Sequence, residues 1–398
     1  MEQANSDLVL QLTVVILIAF FSVSDGAAEV GVKGAYYPSY IAATYPSTSI
    51  DATLFTHLFF AFVVMDPITF EVKPPDSDTE QELASFTGIV TASNPAVRTL
   101  VSIRGGGVEA TSLSQMAANP TSRKTFITTS IALARLHRFA GLDLDWESPK
   151  DATEMHNFGI LISEWHAATL LEANHSNLPP LLLTAAVYYG ATIPFNSSHS
   201  YPVSSIASNL DWINIMAYDY YGFWTPSATA EHTALYFNTD YGISTWLKAG
   251  LPPHKAVLGL AMYGRSWTLA NASETWIGAP AVGPGPPQPI SGEPGFFFFS
   301  EIMQFLTNSN VSTVYDNRTV CAYSFDSKTW VGYDNALSIA NKVQYLMTRK
   351  MAGYFFWAVS FDSNWTLSNS AFSTMGSYSS SVASSEPEAP VSRFSPHV

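Results

Sequence analysis

Residues 139–147 run Phe139-Ala140-Gly141-Leu142-Asp143-Leu144-Asp145-Trp146-Glu147. Polarity alternates with period two, so in an extended strand Asp143, Asp145 and Glu147 share one face while Leu142, Leu144 and Trp146 share the other. On a half-solvated sheet the acids would form a wet outer face. In a closed parallel barrel they point inward, the Leu/Leu/Trp face packs on helices, and the three carboxyl groups climb towards the C-terminal mouth, where enzymes of that architecture place their chemistry. Burying unpaired carboxylates is unfavourable, so a purely structural purpose explains the run poorly. Like charges packed this closely keep at least one group protonated at neutral pH, and Glu147, last in line, is best placed to be a general acid.

Seven further apolar runs flank this one, at 32–37, 57–63, 98–103, 181–188, 212–218, 257–263 and 353–358. Between several of them, for instance over 121–138, 152–172 and 336–349, apolar residues recur at three and four positions as on an amphipathic helix. Strand then helix around eight strands predicts an α/β protein, a (β/α)8 TIM barrel. The gap between the seventh and eighth runs is several times an ordinary connection and holds the Pro/Gly-rich stretch 279–295 and Phe296 to Phe299. It predicts a small α+β insertion over about 266–333, between strand seven and helix seven, walling one side of the mouth. The barrel domain is expected over 29–374, followed by a disordered Ser/Pro-rich tail over 375–398.

Of the 398 residues 47% are hydrophobic and only 13% charged, which excludes a disordered chain or a coiled coil. Eighteen Lys and Arg against 32 Asp and Glu give a net charge of −14 with no basic run, so nucleic acid is not an expected partner. An apolar stretch over 8–23 followed by Gly26, Ala27 and Ala28 predicts a secretory signal over 1–28, without the usual basic flank and too short for a membrane anchor. Six Asn-x-Ser/Thr sequons, at Asn174, Asn196, Asn271, Asn310, Asn317 and Asn364, are glycan acceptors if the chain is secreted. Cys321 is the only cysteine, so no intrachain disulfide is available. No metal cluster, phosphate loop or nucleophile elbow appears; no cofactor, no stable membrane association after signal cleavage and a monomer are expected.

The acid run resembles the DxxDxDxE signature of glycoside hydrolase family 18, the chitinases, and most of all the plant class V group. The likeness extends over about 31–372: Val32-Lys33-Gly34-Ala35-Tyr36-Tyr37, Thr56-His57-Leu58-Phe59, Met216-Ala217-Tyr218-Asp219, Leu258-Gly259-Leu260 with Tyr263-Gly264-Arg265, and Gly353-Tyr354-Phe355-Phe356-Trp357 with Asn364-Trp365-Thr366-Leu367. The resemblance implies a secreted chitinase that cleaves β-1,4-linked N-acetylglucosamine oligomers with retention, the substrate's own acetamido oxygen being the nucleophile. By the same resemblance Glu147 is the acid/base, Asp145 holds the acetamido N–H, Asp143 tunes Asp145, and the Tyr218 hydroxyl aligns the acetamido oxygen. Asp219 contacts sugar, Met216 lines the floor and Trp357 stacks on the sugar at the cleavage point; Arg265, Tyr36, Trp224 and Trp267 are further cleft candidates.

Three positions depart from the family pattern: Ala140 replaces the first Asp of the signature, Arg104 stands where the SxGG element has glycine, and Ser148 follows the acid in place of an aromatic residue. They keep a second reading open, a chitinase-like lectin that binds chitooligosaccharides with little or no turnover.

Overall fold

The computed structural model describes residues 31–104, 109–194 and 198–383, so the signal expected over 1–28 lies outside the described residues. Eight strands, β1 (Val32–Pro38), β2 (His57–Met65), β3 (Arg98–Arg104), β4 (Gly141–Asp145), β5 (Leu182–Tyr188), β6 (Trp212–Met216), β7 (Ala256–Ala261) and β8 (Gly353–Trp357), form a parallel sheet. It closes on itself because β1 pairs on both edges: Ala35 faces Phe356 of β8 on one side and Leu58 of β2 on the other. Closure leaves no barrel edge unpaired. The chain is thus an α/β barrel, as the eight apolar runs predict.

The period-two reading of β4 holds in detail. Leu142, Leu144 and Trp146 belong to the outer apolar core, and the Trp146 ring meets Phe158 of helix α1 (Ala152–Ser176) edge-on at 6.2 Å. Asp151 caps that helix by accepting a hydrogen bond from the Glu154 N–H at 2.9 Å, which starts it five residues past Glu147. The barrel interior is filled by a separate cluster that includes Tyr36, Phe59, Leu100, Trp212 and Phe355. Asp143 and Asp145 stand among these residues and are buried.

The insertion starts earlier than expected. Barrel strand β7 ends at Ala261, and Tyr263 already opens an antiparallel sheet, because Tyr263 to Leu269 pairs with Thr329–Tyr333 on one side and with Phe296–Phe298 and Ala281–Pro284 on the other. Cys321–Phe325 and Ser312–Asp316 complete the sheet, and Phe299–Phe305 is its helix. Its own core contains Trp267 and Trp330, ring centroids 5.6 Å apart. Trp267 is therefore a packing residue and not part of the cleft.

A buried ion pair ties insertion to barrel. Lys342, on helix α2 (Ala336–Thr348), donates to both carboxylate oxygens of Asp334 at 2.6 and 2.7 Å and to the Thr233 carbonyl at 2.5 Å. Nearby, Glu231 is 3% exposed, with the Thr319 and Cys321 side chains opposing the shift that burial imposes on its carboxyl. Burial, aided by the charge of Asp316, pushes its pKa from 4.5 up to about 7. The folded chain therefore binds a proton more tightly than the unfolded one, so this contribution is complete below pH 4.5 and is lost as pH rises through 7. Glu231→Gln removes that loss: calorimetry should show the variant more stable than the parent at pH 8 by up to about 3 kcal/mol, with the two converging near pH 4. Parallel curves across that range would refute the assignment.

The tail expectation needs correction. A helix, α3 (Thr366–Ala383), runs past residue 375, with the Met375 side chain buried and Thr374 and Ser377 hydroxyls bonded to carbonyls four residues back. Thr374 and Ser377 satisfy their hydroxyls on the helix itself, so such residues do not end it here. Residues 384–398 lie outside the described residues. Among the described residues, no helix is long and apolar enough to cross a membrane.

Candidate active site

Register sets the lower layer of the site. Ser102 of β3, Asp143 of β4 and Thr184 of β5 are paired neighbours across the sheet and so point into the barrel together. Asp143 accepts three hydroxyl hydrogen bonds, from Ser102 at 2.7 Å, Thr184 at 2.6 Å and Tyr36 of β1 at 2.8 Å. Asn214 of β6 donates in turn to the Tyr36 oxygen at 2.9 Å, and Trp212 to Asn214 at 3.0 Å. Burial pushes the Asp143 carboxyl up, and the three hydroxyls oppose that shift. These partners all come from other strands, so Ala140 leaves Asp143 fully bonded.

One layer higher, Asp145 pairs across the sheet with Arg104 and Ala186, and the alanine leaves room for a ligand. Burial, then the charges of Glu147 and Asp143, hold the Asp145 pKa well above the carboxylate range. Glu147 is raised too, by burial and by the charge of Asp219. Asp145 and Glu147 stand two residues apart at the end of β4, close enough for each to shift the other's proton. The pair therefore titrates as a unit and retains a shared proton where free carboxyls would have lost theirs. The second oxygen of Asp145, Oδ1, is buried and has no partner. Arg104 ends β3 with an exposed side chain, lies outside the residues that line the cleft, and draws both acids slightly down. It does not obstruct the site. Ser148 lies near the buried Tyr201 hydroxyl and opposes the upward pKa shift that burial gives it.

Above the acids opens a cleft of 1320 Å³ lined by Asp145, Glu147, Met216, Tyr218, Asp219, Arg265 and Trp357, with Tyr36 at its base. Tyr218 is held well above its ordinary pKa by burial and by Asp145 and Glu147, so its hydroxyl stays protonated and can donate. Trp357, the last residue of β8, is half-buried against Phe62 and Tyr36 at 5.7 and 5.6 Å. The insertion supplies one wall, including Tyr263, Ile290, Glu293 and Phe296.

Asp219 is more constrained than the sequence suggests. Arg265 grips both its oxygens at 2.8 and 2.7 Å, and His232 Nδ1 lies 3.5 Å away. Burial alone would raise its pKa, but His232 and Arg265 hold it far below the usual carboxylate range. The Arg265 guanidinium itself lies over Phe296 and Trp224, at 4.8 and 5.2 Å. The sequence pointed to Ser102 only as part of a motif and gave no sign of Thr184, Asn214 or His232. A hydroxyl in a barrel strand is visible, but its partner is not.

A closed barrel whose mouth holds two adjacent carboxyls with raised pKa values under an aromatic groove is the machinery of a sugar-cleaving acid catalyst. Residues 34–362 match Glycosyl hydrolases family 18, and the chain belongs to that family and is a glycoside hydrolase. It is 42% identical over 369 residues to a class V chitinase of Arabidopsis thaliana, covering 90% of this chain and 94% of that one. A GH18 chitinase of Cycas revoluta, solved as a mutant with (GlcNAc)4, superposes with a TM-score of 0.82 at 42% identity, over 86% of this chain and 99% of that one. A chitinase-like agglutinin of Robinia pseudoacacia does so with a TM-score of 0.79 at 37% identity, over 87% and 100%.

Proposed function

We propose that this glycoside hydrolase is a secreted chitinase acting on β-1,4-linked N-acetylglucosamine oligomers by substrate-assisted retention. The observation that carries the reading is the Asp145–Glu147 pair, two neighbouring acids whose pKa values burial raises, lining an aromatic cleft. Because Asp145 and Glu147 stand two residues apart at the end of one strand, the two carboxyls do not flank a sugar from opposite sides as an acid and an enzymic nucleophile must. Asp219, gripped by Arg265, is a poor nucleophile as well. In this reading the acetamido oxygen of the substrate attacks the anomeric carbon instead.

In this reading Glu147 protonates the leaving oxygen and later activates water. The unpartnered Oδ1 of Asp145 accepts the acetamido N–H, which leaves no buried acceptor unsatisfied. Tyr218 donates to the acetamido oxygen and keeps it aligned, while Asp143, pinned by three hydroxyls, fixes and tunes Asp145. Met216 closes the floor and Trp357 offers a ring face to the sugar. Secretion is supported by the exposure of Asn174, Asn271, Asn310, Asn317 and Asn364; Asn196 lies outside the described residues.

A second reading, binding without turnover, is favoured by the likeness to the agglutinin. The intact acid pair favours the enzyme. Incubation of the mature protein with N-acetylglucosamine hexamer, followed by mass spectrometry, separates the two: shorter oligomers support the hydrolase, and calorimetric binding with no product after hours makes it a lectin.

A further inference from the structure

A second pocket, of 470 Å³, opens where the loop after β6 meets the insertion. Its walls include Thr225, Ser227 and Phe237 from the loop and Ile277 from the insertion, and Tyr221 and Asn238 border both this pocket and the catalytic cleft. The two cavities are therefore neighbours with a shared rim. The seam beneath is well made: Thr229 N–H donates to the Ala279 carbonyl at 3.0 Å and Gly278 N–H to the Thr229 carbonyl at 2.8 Å. The pocket is thus framed by ordered backbone and is no gap between loosely packed parts.

Phe237 is the feature that asks for an explanation. Its backbone sits at φ 80 and ψ −45, which is unfavourable for a bulky residue by about 1–3 kcal/mol. Its ring is 70% exposed, so no packing gain offsets that strain. Tyr221, on the shared rim, is 38% exposed. Two exposed ring faces beside the Asn238 amide and the Ser227 hydroxyl have the chemistry that holds a pyranose: apolar ring faces for its C–H side and polar groups for its hydroxyls.

We propose that this pocket is an accessory glycan site that takes the outer sugar units of the same oligomer whose inner units lie in the catalytic cleft. The proposal rests on the chitooligosaccharide reading above and adds to it a length preference set by Phe237. The occupant follows from continuity: a chain leaving the cleft past Tyr221 and Asn238 enters this pocket next.

The test is calorimetric binding of N-acetylglucosamine trimer and hexamer to Glu147→Gln protein, which prevents turnover, with and without Phe237→Ala. Phe237→Ala should weaken the hexamer about tenfold, the typical cost of losing one well-placed aromatic contact, and leave the trimer unchanged. Ser227→Trp, which fills the pocket without touching Phe237, should do the same, and equal melting temperatures confirm that both variants fold. A hexamer bound equally well by all three proteins overturns the proposal, as does equal weakening of trimer and hexamer. If the Glu147→Gln parent binds neither oligomer, the chitooligosaccharide reading itself has failed.

Discussion

Glu147→Gln is expected to lower kcat on N-acetylglucosamine hexamer by roughly 10² to 10⁴-fold, the range for loss of a general acid, while leaving hexamer affinity within about threefold. Gln keeps the shape and the hydrogen-bonding reach of the side chain but carries no transferable proton. The pH profile gives an independent reading. Burial raises the Glu147 pKa, so the parent's kcat/KM should persist above the ordinary carboxylate range and fall only as pH rises through the raised value. The residual rate of the variant should lack that alkaline fall. A variant that retains more than a tenth of parental kcat would remove Glu147 from the reaction.

The second large effect is on stability. Asp334→Ala should destabilise the protein by about 3–5 kcal/mol, because it leaves the Lys342 ammonium buried and facing the uncharged Thr233 carbonyl and Cys321 thiol. Lys342 and Asp334 are 3% and 1% exposed, so solvent cannot take over the lost partner. The double variant Asp334→Ala/Lys342→Met should recover at least half of that loss in denaturant unfolding, since the uncompensated charge is then gone. A single variant as unstable as the double one would show that the pair contributes little beyond its packing.

Both predictions concern acids, yet only one was legible in the chain. The β4 run announces itself because three carboxyls alternate with Leu142, Leu144 and Trp146, and a period-two pattern is a local property of nine consecutive residues. Eight apolar runs of strand length spaced by helical patterns were enough to predict closure. Asp334, in contrast, looks like any acid in a loop, and its meaning depends on Lys342 arriving from helix α2. The tail misled for a related reason: serine composition argues for disorder, but burial of Met375 and hydroxyl bonds to the helix backbone carry α3 to Ala383.

Local alternation, then, determined the fold class, the identity of the acid ladder and its direction towards the mouth. The environment that tunes the ladder was decided by tertiary structure alone. Asp143 meets Ser102 and Thr184 because barrel register aligns β3, β4 and β5, and Asn214 reaches Tyr36 across 178 positions of sequence. The Arg265 grip on Asp219 joins the insertion to the loop after β6, and the shared rim at Tyr221 and Asn238 joins two cavities. A sequence pattern reports which way a side chain points within its own strand. Which group it meets there, and therefore its charge at a given pH, depends on how the barrel closes.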